Sequence, residues 1–154
     1  MGVCNRTPDS FSDGARFLDD TAAFAHVQRL VADGAQIIDI GAESTRPGAR
    51  AVAASEQIER IGSSIRTACA LGALLSIDTT SPDVAAWALG EGACIVNTVS
   101  LDSAEELGAL AARFGASLVL THARGSMTDM QGFSVYDDAA YGDVVTDVAR
   151  EWMH

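Results

Sequence analysis

Leu74–Thr98 reads LLSIDTTSPDVAAWALGEGACIVNT. It holds one whole strand–helix–strand unit. "LLSIDT" is a short apolar run bounded by turn residues, which predicts a buried strand. Ser81 and Pro82 then predict a helix start, with Ser at the N-cap and Pro at the first helical position, and the helix runs through Leu89. "CIVN" is the next strand. Two apolar strands joined by a helical crossover run parallel. Both end on a polar side chain, Asp78 and Asn97.

The same alternation extends in both directions. Upstream, Gly2–Cys4 is a first strand. A helix follows from Asp20 to Asp33, with Ala23, Phe24, Val27, Leu30 and Val31 on one face. "QIIDIG" gives a strand from Gln36 to Ile40, and Ile58, Ile61, Ile65 and Cys69 mark a helix ended by Gly72. Downstream, Ser103 and Glu106 form a capping box for a helix carrying Leu107, Leu110 and Phe114, which stops at Gly115. "SLVLTH" is a fifth strand. From Tyr141 onward, Val144, Val145, Val148 and Trp152 space a last helical stripe.

Five strands alternate with helices, and their cores are near-continuously apolar, as strands covered on both faces should be. A doubly wound sheet and a TIM barrel both satisfy that pattern. Strand-end chemistry favours the barrel. Asn5, Asp39, Asp78, Asn97 and His122 each fall at the C-terminal end of a different strand, the rim where a TIM barrel carries its active site. One such Asp would pass as a cap or turn residue; five in order indicate a shared site. The fold expectation is α/β, with parallel βα units of a TIM (β/α)8 barrel in a single domain over residues 1–154. The barrel is incomplete, because a closed one needs eight units and ~250 residues.

Composition limits the partners. The chain has 154 residues and a net charge of −11, which excludes nucleic acid and anionic membrane surfaces as partners. Its ten basic residues are all arginine. Cys4, Cys69 and Cys94 lack any metal-ligand spacing and read as small buried hydrophobes. No apolar run reaches the ~18 residues of a membrane span, and no signal-like segment opens the chain, so the expected setting is cytoplasmic.

Two polar loops flank the rim. The first, "CNRTPDSFSDG", offers Asn5, Thr7, Asp9, Ser10, Ser12 and Asp13, enough amide and hydroxyl groups to hold a metal-phosphate. The second, "GAESTRPGAR", carries Arg46, a candidate clamp for a carboxylate or phosphate. Asp78 and Asn97 form another kind of pair. A carboxylate beside an amide can read the edge of a planar heterocycle that carries an amino group next to a ring N–H. The spacing alone does not name the ring.

The segments "MGVCNRTPDSFSDG", "IIDIGAESTRPGA", "SIDT", "IVN" and "LVLTHARG" with "DMQ" resemble, in order and spacing, the dihydropteroate synthase family over essentially the whole chain. That resemblance implies a TIM-barrel transferase of folate biosynthesis and a sulfonamide target. It implies two small-molecule substrates, a dihydropterin pyrophosphate and p-aminobenzoate, joined with release of pyrophosphate in the presence of Mg2+. By the same resemblance, Asn5 helps hold metal and pyrophosphate. Asp78 and Asn97 hold the pterin ring. Phe11 and Ser12 on the first loop, with Thr45 and Arg46 on the second, form the p-aminobenzoate pocket. Asn5, Thr45 and Arg46 are the expected catalytic groups.

The pattern is not followed everywhere. Thr98 stands where the family has an Asp expected to contact or orient the pterin, and Ala15 and Ala42 replace loop glycines. The family's later strands bring a further Asp, a Lys, an Arg and a His. Five units leave the first and last strands as open edges. The expectation is therefore either an oligomer or complementing fragment that completes the sheet, or a portion of a longer enzyme with weak activity alone. The competing function is a catalytically incomplete pterin-binding or assembly module. More distant are the pterin domains of folate-dependent methyltransferases, which lack a need for the two polar loops.

Overall fold

The computed structural model describes residues 1–7, 20–44, 51–100, 102–122 and 141–153. Their elements alternate as the sequence predicts: β1 (Gly2–Asn5), α1 (Asp20–Ala32), β2 (Ile37–Gly41), α2 (Ala54–Ala70), β3 (Leu74–Asp78), α3 (Pro82–Gly90), β4 (Ile95–Thr98), α4 (Ala104–Phe114), β5 (Ser117–Leu120) and α5 (Val144–Trp152). The five strands form one sheet in sequence order, every pair parallel. A doubly wound sheet reverses strand order at a switch point. No reversal occurs between β1 and β5, and α1 to α4 pack side by side in the same succession. This is the one-way winding of a TIM barrel, carried through five units.

Strand parity sorts the residues. Cys4, Ile38, Ile40, Leu75, Ile77 and Val96 join Val27, Ile61, Ile65, Val84, Ala88 and Leu107 of the helices in one buried core. The alternate residues of each strand point to the opposite, inner face of the sheet. There Val3 is 50% exposed, and Leu74 and Val119 are also exposed.

Local signals held unevenly. The Ser81 hydroxyl accepts from the Val84 N–H, with Pro82 in the first turn. Gly115 takes a left-handed conformation, φ 66°, and closes α4. Ser103 differs from expectation. It sits at the start of α4 with φ −101° and ψ 3°, and its hydroxyl makes no capping bond. A cap needs extended backbone to aim its oxygen at the turn's N–H groups.

Three apolar expectations also need correction. Phe24 is 47% exposed. It lies about 100° around α1 from Ala23, on the flank of the stripe. Cys69 is exposed and Cys94 only partly buried, whereas Cys4 is fully buried. The α5 stripe forms a helix but buries no residue, with Val145 78% exposed. Among the described residues no helix is long and apolar enough to cross a membrane.

Candidate functional site

Asn5, Gly41, Asp78 and Asn97 occupy one row across the sheet. Register pairs Asn5 with Gly41, Gly41 with Asp78, and Asp78 with Asn97. Residues in register on parallel strands share a face, so all four lie on the inner side at the C-terminal edge. Gly41 is the gap in the row. A Cβ there would lie 3.3 Å from both Asn5 Oδ1 and Asp78 Oδ2. The missing side chain lets the groups of β1 and β3 converge.

A second row lies one inward step below, pairing Val3 with Asp39, Asp39 with Ser76, and Ser76 with Ile95. Asp39 was expected at the end of its strand. It sits mid-strand instead, because β2 runs on to Gly41. The Asn97 amide Nδ2 donates to Asp39 Oδ2 at 3.1 Å, spanning β3. Residues from β2 and β4 thus meet in one layer, and residues from β1 and β3 in the next. Such alternation is how the interior of a TIM barrel is filled.

The polar groups here are incompletely satisfied. Asp39 is 5% exposed, and its Oδ1 has no hydrogen-bond partner among the described residues; the fully buried Ser76 hydroxyl has none either. Asp78 is partly buried, and its carboxyl is pushed up to about 7. Desolvation is the main cause, with the charges of Asp39 and Glu43 adding to it. A partly buried carboxyl raised in this way suits a ligand edge rich in N–H donors.

A second network frames the two loops. The guanidinium of Arg6 is buried; its Nε donates to the Arg60 carbonyl at 2.6 Å and its Nη2 pairs with Asp20 at 2.7 Å. Asp20 also accepts from the Ser63 hydroxyl; that bond, then Arg6, holds its carboxyl below the usual range. The Arg6 N–H reaches the Gly41 carbonyl at 2.7 Å, and Arg60 holds the Ala42 carbonyl at 3.0 Å. Glu43 accepts from the Val52 N–H at 2.8 Å, and buried Gln57 ties Val52 to Thr79. Sequence reading missed Arg6 as a framing residue. Its one signal was a cation directly after a strand-end Asn in an acidic chain.

The remaining expected residues divide clearly. Phe11, Ser12, Thr45, Arg46 and Ala15 lie outside the described residues. Ala42 is buried, its carbonyl engaged by Arg60. Thr98 was expected to leave a gap at the ligand. Its parity is opposite to Asn97; it is fully buried on the helix side, and its hydroxyl accepts from the Ser100 N–H at 3.2 Å. His122 does not join the row: its Nε2 meets Glu151 of α5 at 2.5 Å, with the rings of Tyr141 and Trp152 beside it. Among the described residues no cluster of three or more His, Cys, Asp or Glu is placed to hold a metal.

With that geometry in hand, likeness to known proteins is informative. A family model described as pterin binding enzyme matches residues 1–153. The dihydropteroate synthase of Mycobacterium leprae is 43% identical over 154 residues, covering 99% of this chain and 53% of the relative. The crystal structure of the Yersinia pestis dihydropteroate synthase with a sulfonamide drug complex superposes with a TM-score of 0.84 at 35% identity, covering 100% of this chain and 55% of that one. That of Xanthomonas albilineans with 4-aminobenzoic acid superposes with a TM-score of 0.76 at 38% identity, covering 97% and 51%. The chain spans about half the length of the curated relatives it matches.

Proposed function

Because the chain belongs to the pterin binding enzyme family, we propose that it supplies the pterin-holding part of a dihydropteroate synthase. The reaction condenses a dihydropterin pyrophosphate with p-aminobenzoate. The methylene C–O bond to pyrophosphate breaks, a C–N bond to the arylamine forms, and the amine gives up a proton. The observation that carries this reading is the row Asn5–Gly41–Asp78–Asn97, with the Asp78 carboxyl pushed up by burial within it. Asp78 accepts from the amino and ring N–H groups of the pterin, and Asn97 holds the adjoining edge. Asn5 offers a hard amide oxygen at the rim. This suits Mg2+, which takes few protein ligands beside water and phosphate oxygens and, when bound, neutralises charge on the leaving pyrophosphate. Phe11, Ser12, Thr45 and Arg46 would supply the p-aminobenzoate side. We place the chemistry in the cytoplasm, where three unpaired cysteines stay reduced. On the same reading, the outer strands β1 and β5 are where a second copy or a complementing fragment adds strands.

Proton release tests the proposal. A donor-rich ring favours the ionised form of Asp78, so binding at pH 6.5 should expel protons. Titration calorimetry with 6-hydroxymethyl-7,8-dihydropterin pyrophosphate, in buffers of different ionisation enthalpy, should show that release, and Asp78→Asn should abolish it. No binding by the folded chain, or binding with no proton released, overturns the reading. A second reading is a pterin-binding or assembly module that binds without turnover. Pyrophosphate release on adding p-aminobenzoate separates the two.

A further inference from the structure

We infer that Asp39 is a positioning residue: it fixes which end of the Asn97 amide faces the ligand. Its ligand consequence rests on the pterin-holding reading; the positioning itself does not. An Asn side chain has a donor end and an acceptor end of nearly equal size, and an unconstrained one turns either way. A carboxylate can only accept. The 3.1 Å contact from Asn97 Nδ2 to Asp39 Oδ2 therefore sets the amide with its nitrogen toward β2. The carbonyl oxygen is thereby turned away from β2, on a residue in register with Asp78. Two neighbouring strands then present acceptors together, which selects a ligand edge carrying adjacent N–H donors.

The position of Asp39 supports this role over direct ligand contact. It is 95% buried, one inward step below the row, and it reaches across Ser76, a residue small enough to let the bond pass. A carboxylate is a costly choice at a buried site if packing is the only need. Its virtue here is polarity: an Asn or Gln could pair with Asn97 in either sense, and Asp cannot.

The test reads the amide itself. In a nitrogen-15 spectrum of the chain, the Asn97 side-chain amide should show one proton shifted downfield and protected from solvent exchange. Asp39→Asn, which keeps the shape, should return that proton toward the ordinary amide shift and to free exchange, and weaken pterin pyrophosphate binding by about tenfold or more. The exchanged pair Asp39→Asn with Asn97→Asp restores the bond in reverse. It should recover thermal stability without recovering affinity. An Asn97 amide with both protons at ordinary shifts and in free exchange in the unmodified chain overturns the inference. So does an Asp39→Asn spectrum and affinity equal to the original, or an exchanged pair that binds as well as the original. If the unmodified chain binds no pterin, the proposed function falls while the spectrum still decides the role of Asp39.

Discussion

At the scale of single residues, Asp78 has the clearest consequence. Its carboxyl ionises near 7 in the folded chain, against an ordinary value of 3.8. Between those values the folded state holds a proton that the unfolded state has released, so this group's contribution to stability declines as pH rises from about 4 to 7. Asp78→Asn removes the effect. In urea titrations the variant should gain on the original as pH is raised from 4 to 8, by on the order of 2–4 kcal/mol. An equal difference at both ends of the range would show that burial does not perturb the carboxyl. The sequence made Asp78 and Asn97 legible because each closes a short apolar run. It hid Asp39 and Gly41, since where β2 ends depends on pairing with β1 and β3, and "IIDIG" itself has no breaker before the glycine.

At the scale of elements, Ser81 and Ser103 look alike in sequence and act differently. Ser81 has extended backbone and caps α3; Ser103 has bridge-region backbone, and its buried hydroxyl has no partner among the described residues. Ser81→Ala should cost ~1 kcal/mol. Ser103→Ala should stay within ~0.5 kcal/mol of the original, or stabilise, because it removes an unsatisfied group. Thermal melts of the two variants side by side check this, and equal losses would contradict the assignment of caps. Helix existence was readable from periodicity, whereas which flank meets solvent was not. Phe24 belongs to the α1 stripe by spacing, but exposure was settled by the neighbours that the fold places beside it. The α5 stripe is amphipathic by pattern alone, and no element of the described chain covers it.

At the scale of the molecule, sequential strand order and layered side chains identify barrel winding, and both are products of long-range register. Alternation of βα units was legible in the sequence; the choice between barrel and doubly wound sheet rested on strand-end chemistry until the order of strands was known. The row that carries the site draws one residue from each of β1, β2, β3 and β4. No local piece of chain contains it. A molecule seated there acts as a rivet through four strands, and every partial opening that frees one of them must first expel it. Its affinity is thereby converted into resistance to local unfolding. Hydrogen exchange with saturating pterin pyrophosphate should slow the amides of β1 to β4 together and leave α5 unchanged. Slowing confined to one strand would mean that the ligand rests on a patch and does not span the sheet.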